Sequence, residues 1–289
     1  MTALTVVKAG PLTLIQDRGR PGLSHLGVGT AGAMDRGALA LANRLVGNER
    51  GAAGLEILFG GAIFASDRPV WVAVTGAWGS VTAPGRTVPP NTAELLNVGD
   101  SLTFGPAVRG IRYYLAVRGG VDVPIVLGSR SRDTLAGLGP APLRDGDLVP
   151  IGADQVDPVP PVDLVPLDAP FANTAVIEIR PGPRRDWFTQ DAWMALLDSA
   201  WQVSQRADRS GIRVEGPTLH RSMAGELPSE GMVPGAIQVS PDGAPTILSV
   251  DHPVTGGYPV IAVVTDASLD TLAQLRPGQR IRFRLAIGR

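Results

Sequence analysis

Short apolar runs separated by glycine and proline constrain this chain most. The clearest case runs from Pro241 to Val264. Pro241-Asp242-Gly243 is a turn signal, Thr246-Ile247-Leu248-Ser249-Val250 is an apolar run, and Val260 to Val264 is another. Between the runs lies Asp251-His252-Pro253-Val254-Thr255-Gly256-Gly257-Tyr258-Pro259. Pro253 and Pro259 lack a backbone donor and push the preceding residue into extended geometry. Gly256-Gly257 permits positive φ or a close backbone approach. One buried strand therefore delivers Asp251, His252, Thr255 and Tyr258 to its end, and a second strand leaves. Polar side chains on such a loop can build a site; equally, the glycines can serve a tight connection alone. With 36 glycines and 26 prolines, the same punctuation recurs throughout, as at Gly99-Asp100, Gly146-Asp147 and Gly278-Gln279. The expected fold is mainly β with a few short helices.

Composition excludes several chemistries. The absence of cysteine removes disulfides, thiol catalysis and zinc–thiolate sites. Lys8 is the single lysine, and it lacks the glycine-rich context of a P-loop. Its place near the N-terminus also disfavours Ser-Lys amidase chemistry, Schiff-base chemistry and a biotinylated carrier lysine. A net charge of -1 argues against nucleic-acid and membrane-surface partners. No apolar run reaches membrane-spanning length and no signal-peptide pattern opens the chain, so the expected location is cytoplasmic. No metal site is expected.

Along the chain, Val6–Gly10 and Leu12–Ile15 suggest a hairpin broken at Gly10-Pro11. The following Gln16-Asp17-Arg18-Gly19-Arg20-Pro21-Gly22 is a polar loop. It reads as an anion or carboxylate site, or as a loop stapled by an internal Asp–Arg pair. Gly27–Ala33 leads into a helix with Asp35 as N-cap and Gly47 just past its end. Glu56 sits amid Leu and Ile in a strand, where alternation favours an inward, partnered carboxylate. Leu127 to Thr134 is a hydroxyl- and arginine-rich loop, either an oxyanion site or a solvated surface. Thr189 caps a second helix, with Phe188 and Trp193 placed as a hydrophobic staple, and Ser268 is the expected cap of a third. In the last strand, Ile281, Phe283 and Leu285 alternate with Arg280, Arg282 and Arg284. Prolines cluster over residues 156–170, the expected connector between a β-rich part at 1–155 and a second part at 171–289.

Several blocks in order carry a resemblance. They are Gln16-Asp17-Arg18-Gly19-Arg20, Gly32-Ala33-Met34-Asp35, Ala42-Asn43-Arg44-Leu45-Val46-Gly47-Asn48, Leu115-Ala116-Val117-Arg118-Gly119-Gly120, Leu127-Gly128-Ser129-Arg130-Ser131, Gly235-Ala236-Ile237-Gln238 and Thr255-Gly256-Gly257-Tyr258-Pro259. Together they resemble the 5-oxoprolinase C-subunit family, also called allophanate hydrolase subunit 2 or the biotin-dependent carboxyltransferase family. The resemblance implies cyclophilin-like β-barrel subdomains. It implies a partner chain, the B subunit, with a further A subunit in the 5-oxoprolinase assembly. The implied reaction is ATP-dependent opening of 5-oxoproline to glutamate, with ATP handled alongside these partners. In the urea carboxylase branch it implies receipt of a carboxyl group from biotin; a regulatory, non-catalytic partner role is the third expectation. On this resemblance Asp17, Asp251 and His252 are candidate bases and Tyr258 a candidate orienting group. Arg18, Arg20, Arg118, Ser129, Arg130, Thr255, Gly256 and Gly257 are candidate substrate- or phosphate-binding residues. Two positions depart from the family pattern: Ser210 stands where methionine is usual, and His252 where glutamine is frequent.

Overall fold

Apolar alternation and glycine turns produce the sheets that the sequence suggests. The structure, a computed structural model, describes residues 3–153, 157–161, 174–223, 225 and 227–287. Contacts divide it into two units: Met1–Arg20, Ala31–Asp133 and Gly137–Pro170 form the first, and Pro21–Thr30, Thr134–Ala136 and Phe171–Arg289 the second. Of the expected connector at 156–170, residues 157–161 are described and the remainder lies outside the described residues. Among the described residues no helix is long and apolar enough to cross a membrane.

The first unit is built on β1 (Ala3–Lys8), β2 (Leu12–Gln16), β3 (Gly54–Leu58), β4 (Ile63–Ser66), β5 (Val70–Ala83), β6 (Arg86–Thr87), β7 (Ala93–Leu96), β8 (Ser101–Val117) and β9 (Leu148–Pro150). They form one sheet with the path β2-β3-β8-β4-β1-β9, and β5 pairs with β6, β7 and β8. The expected hairpin between the first two strands does not form. β1 lies against β4 and β9, whereas β2 pairs with β3. Gly10, at φ 72, packs so tightly on Gly60 that a Cβ would stand 2.7 Å from its carbonyl oxygen, and Pro11 then redirects the chain. The core runs through Leu4, Val6, Leu55, Ile57, Phe64, Val72, Val74, Leu102, Phe104, Tyr113 and Leu115.

Helix α1 (Arg36–Leu45) begins as expected: the Asp35 carboxylate accepts from the Ala38 N–H at 2.8 Å. Gly47, at φ 74, follows its end. Glu56 is the inward carboxylate that alternation suggests, 3% exposed. It accepts from the Tyr114 hydroxyl at 2.8 Å and the Met34 N–H at 3.0 Å, with Arg112 Nε 3.5 Å away. Burial first, and Glu56 second, push the Tyr114 hydroxyl well above the ordinary tyrosine range. The Tyr114 oxygen in turn accepts from the Asp35 N–H at 2.8 Å, so this buried network fixes the entry to α1.

The second unit is built on β10 (Ala175–Pro181), β11 (Trp201–Ala207), β12 (Gly211–Glu215), β13 (Glu230–Gly231), β14 (Ala236–Val239), β15 (Pro245–Leu248), β16 (Thr255–Gly256), β17 (Val260–Val264) and β18 (Arg280–Leu285). Seven of them close a barrel in the order β10-β17-β14-β15-β12-β11-β18. The parallel pairing of β10 with β18 makes the closure. Helix α2 (Gln190–Asp198) is capped by Thr189, which accepts from the Ala192 N–H at 3.1 Å, and both Phe188 and Trp193 join the barrel core. Trp201 is fully buried and donates from its indole to the Leu196 carbonyl at 3.0 Å.

Two local expectations need correcting. Helix α3 (Asp266–Leu272) starts after Thr265, so Ser268 lies inside its first turn and does not cap it. Ser268 is buried instead, and its hydroxyl accepts from the Glu178 N–H at 3.1 Å. In β18, Ile281 and Phe283 point inward as expected, but Leu285 is 41% exposed because the strand ends there. The fold is mainly β with a few short helices, as the punctuation implies.

Candidate functional site

In the first unit, β2 ends at Gln16 and presents Asp17 to the loop at 126–133. Leu127 at φ 51 and Gly128 at φ 81 form a tight reversal in which Val126 and Ser129 exchange backbone hydrogen bonds. The turn delivers Ser129, Arg130 and Ser131 to one carboxylate. Asp17 Oδ1 accepts from Ser129 Oγ at 2.6 Å, Ser131 Oγ at 2.5 Å and the Gly19 N–H at 2.7 Å. Its Oδ2 accepts from the Arg130 N–H at 2.6 Å. Among the described residues no side-chain pair between Asp17 and Arg18 or Arg20 staples these loops. They are joined by hydroxyls and backbone amides on a carboxylate, with Ser129 and Ser131 buried rather than solvated. Asp17 is thus engaged as an acceptor on both oxygens.

The arginines divide by environment. Arg20 is 2% exposed and donates to the Ser131 carbonyl at 2.5 Å, while its Nη1 has no hydrogen-bond partner among the described residues. Arg118 is also buried and donates to the Val46 carbonyl at 2.7 Å and to the Asp157 carbonyl, so it closes the carbonyl end of α1. Arg130 donates to the Val123 carbonyl at 2.9 Å and to Asp122 Oδ1 at 2.6 Å. Arg18 is exposed. Its side chain lies across Gly51, where a Cβ would stand 2.6 Å from Nε.

Of these arginines, Arg130 lines a cleft of about 300 Å³. Its lining includes Asp17, Asn48, Glu49, Gly51, Asp122 and Arg130, completed by the backbone of Gly119, Gly120 and Gly152. The wall is held rigidly. Asn48 donates to Asn43 Oδ1 at 3.0 Å and to the Val117 carbonyl at 2.8 Å, and accepts from the Gly119 N–H at 2.9 Å. Asn43 donates to the Ala52 carbonyl at 2.8 Å. Gly119, at φ 92, approaches the Gly152 carbonyl so closely that a side chain would displace it. A mixed acidic and basic lining with fixed backbone groups suits a small polar ligand.

In the second unit, the strand-end loop gathers its residues differently. Asp251 is 1% and Arg209 3% exposed. Arg209 clamps the carboxylate with two bonds, Nε to Oδ2 at 2.8 Å and Nη2 to Oδ1 at 3.0 Å. Thr134 adds its N–H at 2.9 Å and its hydroxyl at 2.7 Å, both to Oδ2. His252 is buried, with Nδ1 2.8 Å from the Pro253 carbonyl. A carbonyl can only accept, so Nδ1 is the donor of this bond. Thr255 is exposed, and β16 pairs with β13, whose Glu230 meets Arg184 in an ion pair. Neither Gly256 nor Gly257 has positive φ. Close approach governs Gly256, since a Cβ would stand 2.5 Å from Gln238 Nε2. Tyr258 is 48% exposed, and its carbonyl accepts from Gln238 Nε2 at 3.2 Å.

Sequence reasoning did not single out Glu49, Asp122, Thr134 or the Arg209 clamp. The signal for Glu49 was present in Gly47-Asn48-Glu49-Arg50-Gly51, a polar turn between glycines directly after a helix. No signal announced that Thr134 and Arg209 meet at Asp251, because those contacts span 117 and 42 residues of sequence.

A barrel-containing β protein with a small polar cleft defines the class: a mainly β domain protein suited to a small-molecule reaction. The carboxyltransferase domain model, subdomain A and B, matches residues 26–285, and the chain belongs to that family. It is 38% identical to the C subunit of 5-oxoprolinase from Escherichia coli (strain K12), over 97% of this chain and 90% of that protein. It is 31% identical to urea amidolyase of Saccharomyces cerevisiae, over 98% of this chain but 16% of that much longer protein. The crystal structure of TTHA0988 superposes with a TM-score of 0.89 at 36% identity, covering 98% of this chain and 56% of that one. The chain therefore spans about half of that solved relative and about a sixth of the amidolyase.

Proposed function

We propose that this chain is the C subunit of an ATP-dependent 5-oxoprolinase, which opens 5-oxo-L-proline to L-glutamate together with its B and A partner chains. The observation that carries the reading is the near full-length likeness to a protein named as that C subunit. The cleft supports it by size and by lining.

The chemistry sets the requirements. A lactam resists water because amide resonance must be broken, and phosphorylation of its carbonyl oxygen supplies a leaving group. Cationic groups must then meet the phosphate, and a directed proton acceptor must serve the water. Lys8 is the chain's only lysine and no P-loop surrounds it, which supports nucleotide handling in company with a partner chain. In this reading the first unit's cleft binds and orients the small substrate. Asp17, through its bonds to Ser129, Arg130 and Ser131, holds the cleft wall in shape. Of the candidate arginines, Arg18 and Arg130 are less buried than Arg20 and Arg118. Asp251 and Arg209 brace the second unit's loops. His252 Nε2 and the exposed Tyr258 are the remaining groups able to serve a reaction shared with a partner.

Carboxyl transfer from biotin is the second reading, favoured by the carboxyltransferase family match. It requires a carrier lysine on another chain or segment. The deciding experiment measures ATP-dependent glutamate release from 5-oxo-L-proline with this chain alone, with the B partner added, and with the A and B partners together. Activity only in the complete mixture is expected. A stable assembly that releases no glutamate in any mixture would overturn the reading.

A further inference from the structure

The cleft of the first unit is lined by Asp17, Glu49 and Asp122, and the environments of these carboxylates differ. Asp17 accepts hydrogen bonds on both oxygens. Asp122 is paired with Arg130 at 2.6 Å. Glu49 is exposed, lines the cleft, and makes no side-chain hydrogen bond or ion pair among the described residues. Its backbone is nonetheless fixed, because its carbonyl accepts from the Ala52 N–H at 3.0 Å and Asn48 beside it is bonded on every side. The cations divide in the same way. Arg130 is committed to Asp122 and Val123, whereas Arg18 is exposed and also makes no side-chain hydrogen bond or ion pair among the described residues. Arg18 rests on Gly51, itself part of the cleft lining, and Gly51 leaves the room that a Cβ would take from Nε and Cδ.

One uncommitted cation and one uncommitted anion thus flank the same glycine without pairing with each other. Two unpaired opposite charges, Glu49 on the cleft wall and Arg18 resting beside it on Gly51, match a ligand that carries an anionic group and a hydrogen-bond donor a few bonds apart. We infer that the cleft takes a small amide that also bears a carboxylate, with Arg18 on the carboxylate and Glu49 accepting from the amide N–H. Arg18 fits because a guanidinium matches a carboxylate with two parallel bonds. Glu49 fits because an ionised carboxylate is an acceptor only, and so rejects an ester or ether in place of the N–H. The inference rests on the reading of this cleft as the substrate site and assigns the groups that choose the substrate.

Calorimetric titration of the full chain separates the two contacts, with 5-oxo-L-proline and the uncarboxylated lactam 2-pyrrolidinone as probes. The wild-type chain is expected to bind 5-oxo-L-proline about tenfold or more tightly than 2-pyrrolidinone, the usual worth of a charge-assisted contact. Arg18→Ala should lower the affinity for 5-oxo-L-proline to that for 2-pyrrolidinone and leave the latter unchanged. Glu49→Ala should weaken both probes, while Glu49→Gln, which keeps an acceptor oxygen, should retain more affinity than Glu49→Ala. Thermal melts of the variants should match the wild type, since neither side chain has a partner among the described residues. Failure of the wild-type chain to bind either probe, or equal affinities in all variants, would overturn the inference. Binding that follows this pattern in an assembly without turnover would overturn the proposed reaction alone. Turnover in an assembly whose Arg18→Ala and Glu49→Ala variants keep wild-type KM would overturn this assignment alone.

Discussion

At the scale of the residue, the same side-chain type takes unlike roles according to what surrounds it. Asp251 reads from sequence as a polar group on a glycine-rich loop, but its carboxylate is enclosed by Arg209 and Thr134. Removing it would take the carboxylate from a guanidinium that is 3% exposed. Asp251→Ala should therefore cost about 3–5 kcal/mol of stability, read as a lowered midpoint in urea unfolding. The double variant with Arg209→Leu should recover part of that loss, because the buried guanidinium is then removed with its carboxylate. An Asp251→Ala midpoint equal to wild type would remove the clamp from the stabilising interactions. Asp17 and Asp251 were visible in the sequence as polar groups on glycine-rich loops. Their partners were not, since Ser129 and Ser131 reach Asp17 across 112 and 114 residues.

At the scale of the element, glycine turns marked several strand starts. Gly99 at φ 80, Gly146 at φ 88 and Gly278 at φ 83 each stand just before a strand, at the turns that recur in the sequence. Strand boundaries are local properties, fixed by backbone sterics. Strand partners are not local, and the failed hairpin between β1 and β2 shows the difference. Glycines inside strands carry a further meaning. Gly79 lies where the register between β5 and β8 shifts, facing the Tyr113 hydroxyl and the Pro106 carbonyl at a separation that excludes a side chain. Gly79→Ala should cost about 1–3 kcal/mol through overpacking, seen as a lower melting temperature. A Tyr113→Phe background, which removes the hydroxyl, should soften the penalty. An unchanged melting temperature in the single variant would contradict the packing argument.

At the scale of the whole molecule, each unit buries its own core, one beneath the first sheet and one inside the closed barrel. Exposed apolar side chains such as Val108 at 71% and Leu26 at 64% remain on the described surface. If the chain works within an assembly, its partner binds the folded form and raises its melting temperature in a concentration-dependent way. Differential scanning fluorimetry with increasing amounts of the B partner should show a rise of several degrees, as a gain of about 1–2 kcal/mol produces. A melting temperature indifferent to a saturating amount of that partner would count against stable association. The sequence by itself determined the mainly β class, the helix caps at Asp35 and Thr189 and the inward Glu56, because each follows from local sterics or alternation. Its ordered motifs also determined the family. Only the tertiary structure decided which carboxylates are committed and which is left open. That distinction depends on donors brought together from distant parts of the chain, and residue order carries no record of their distance in space.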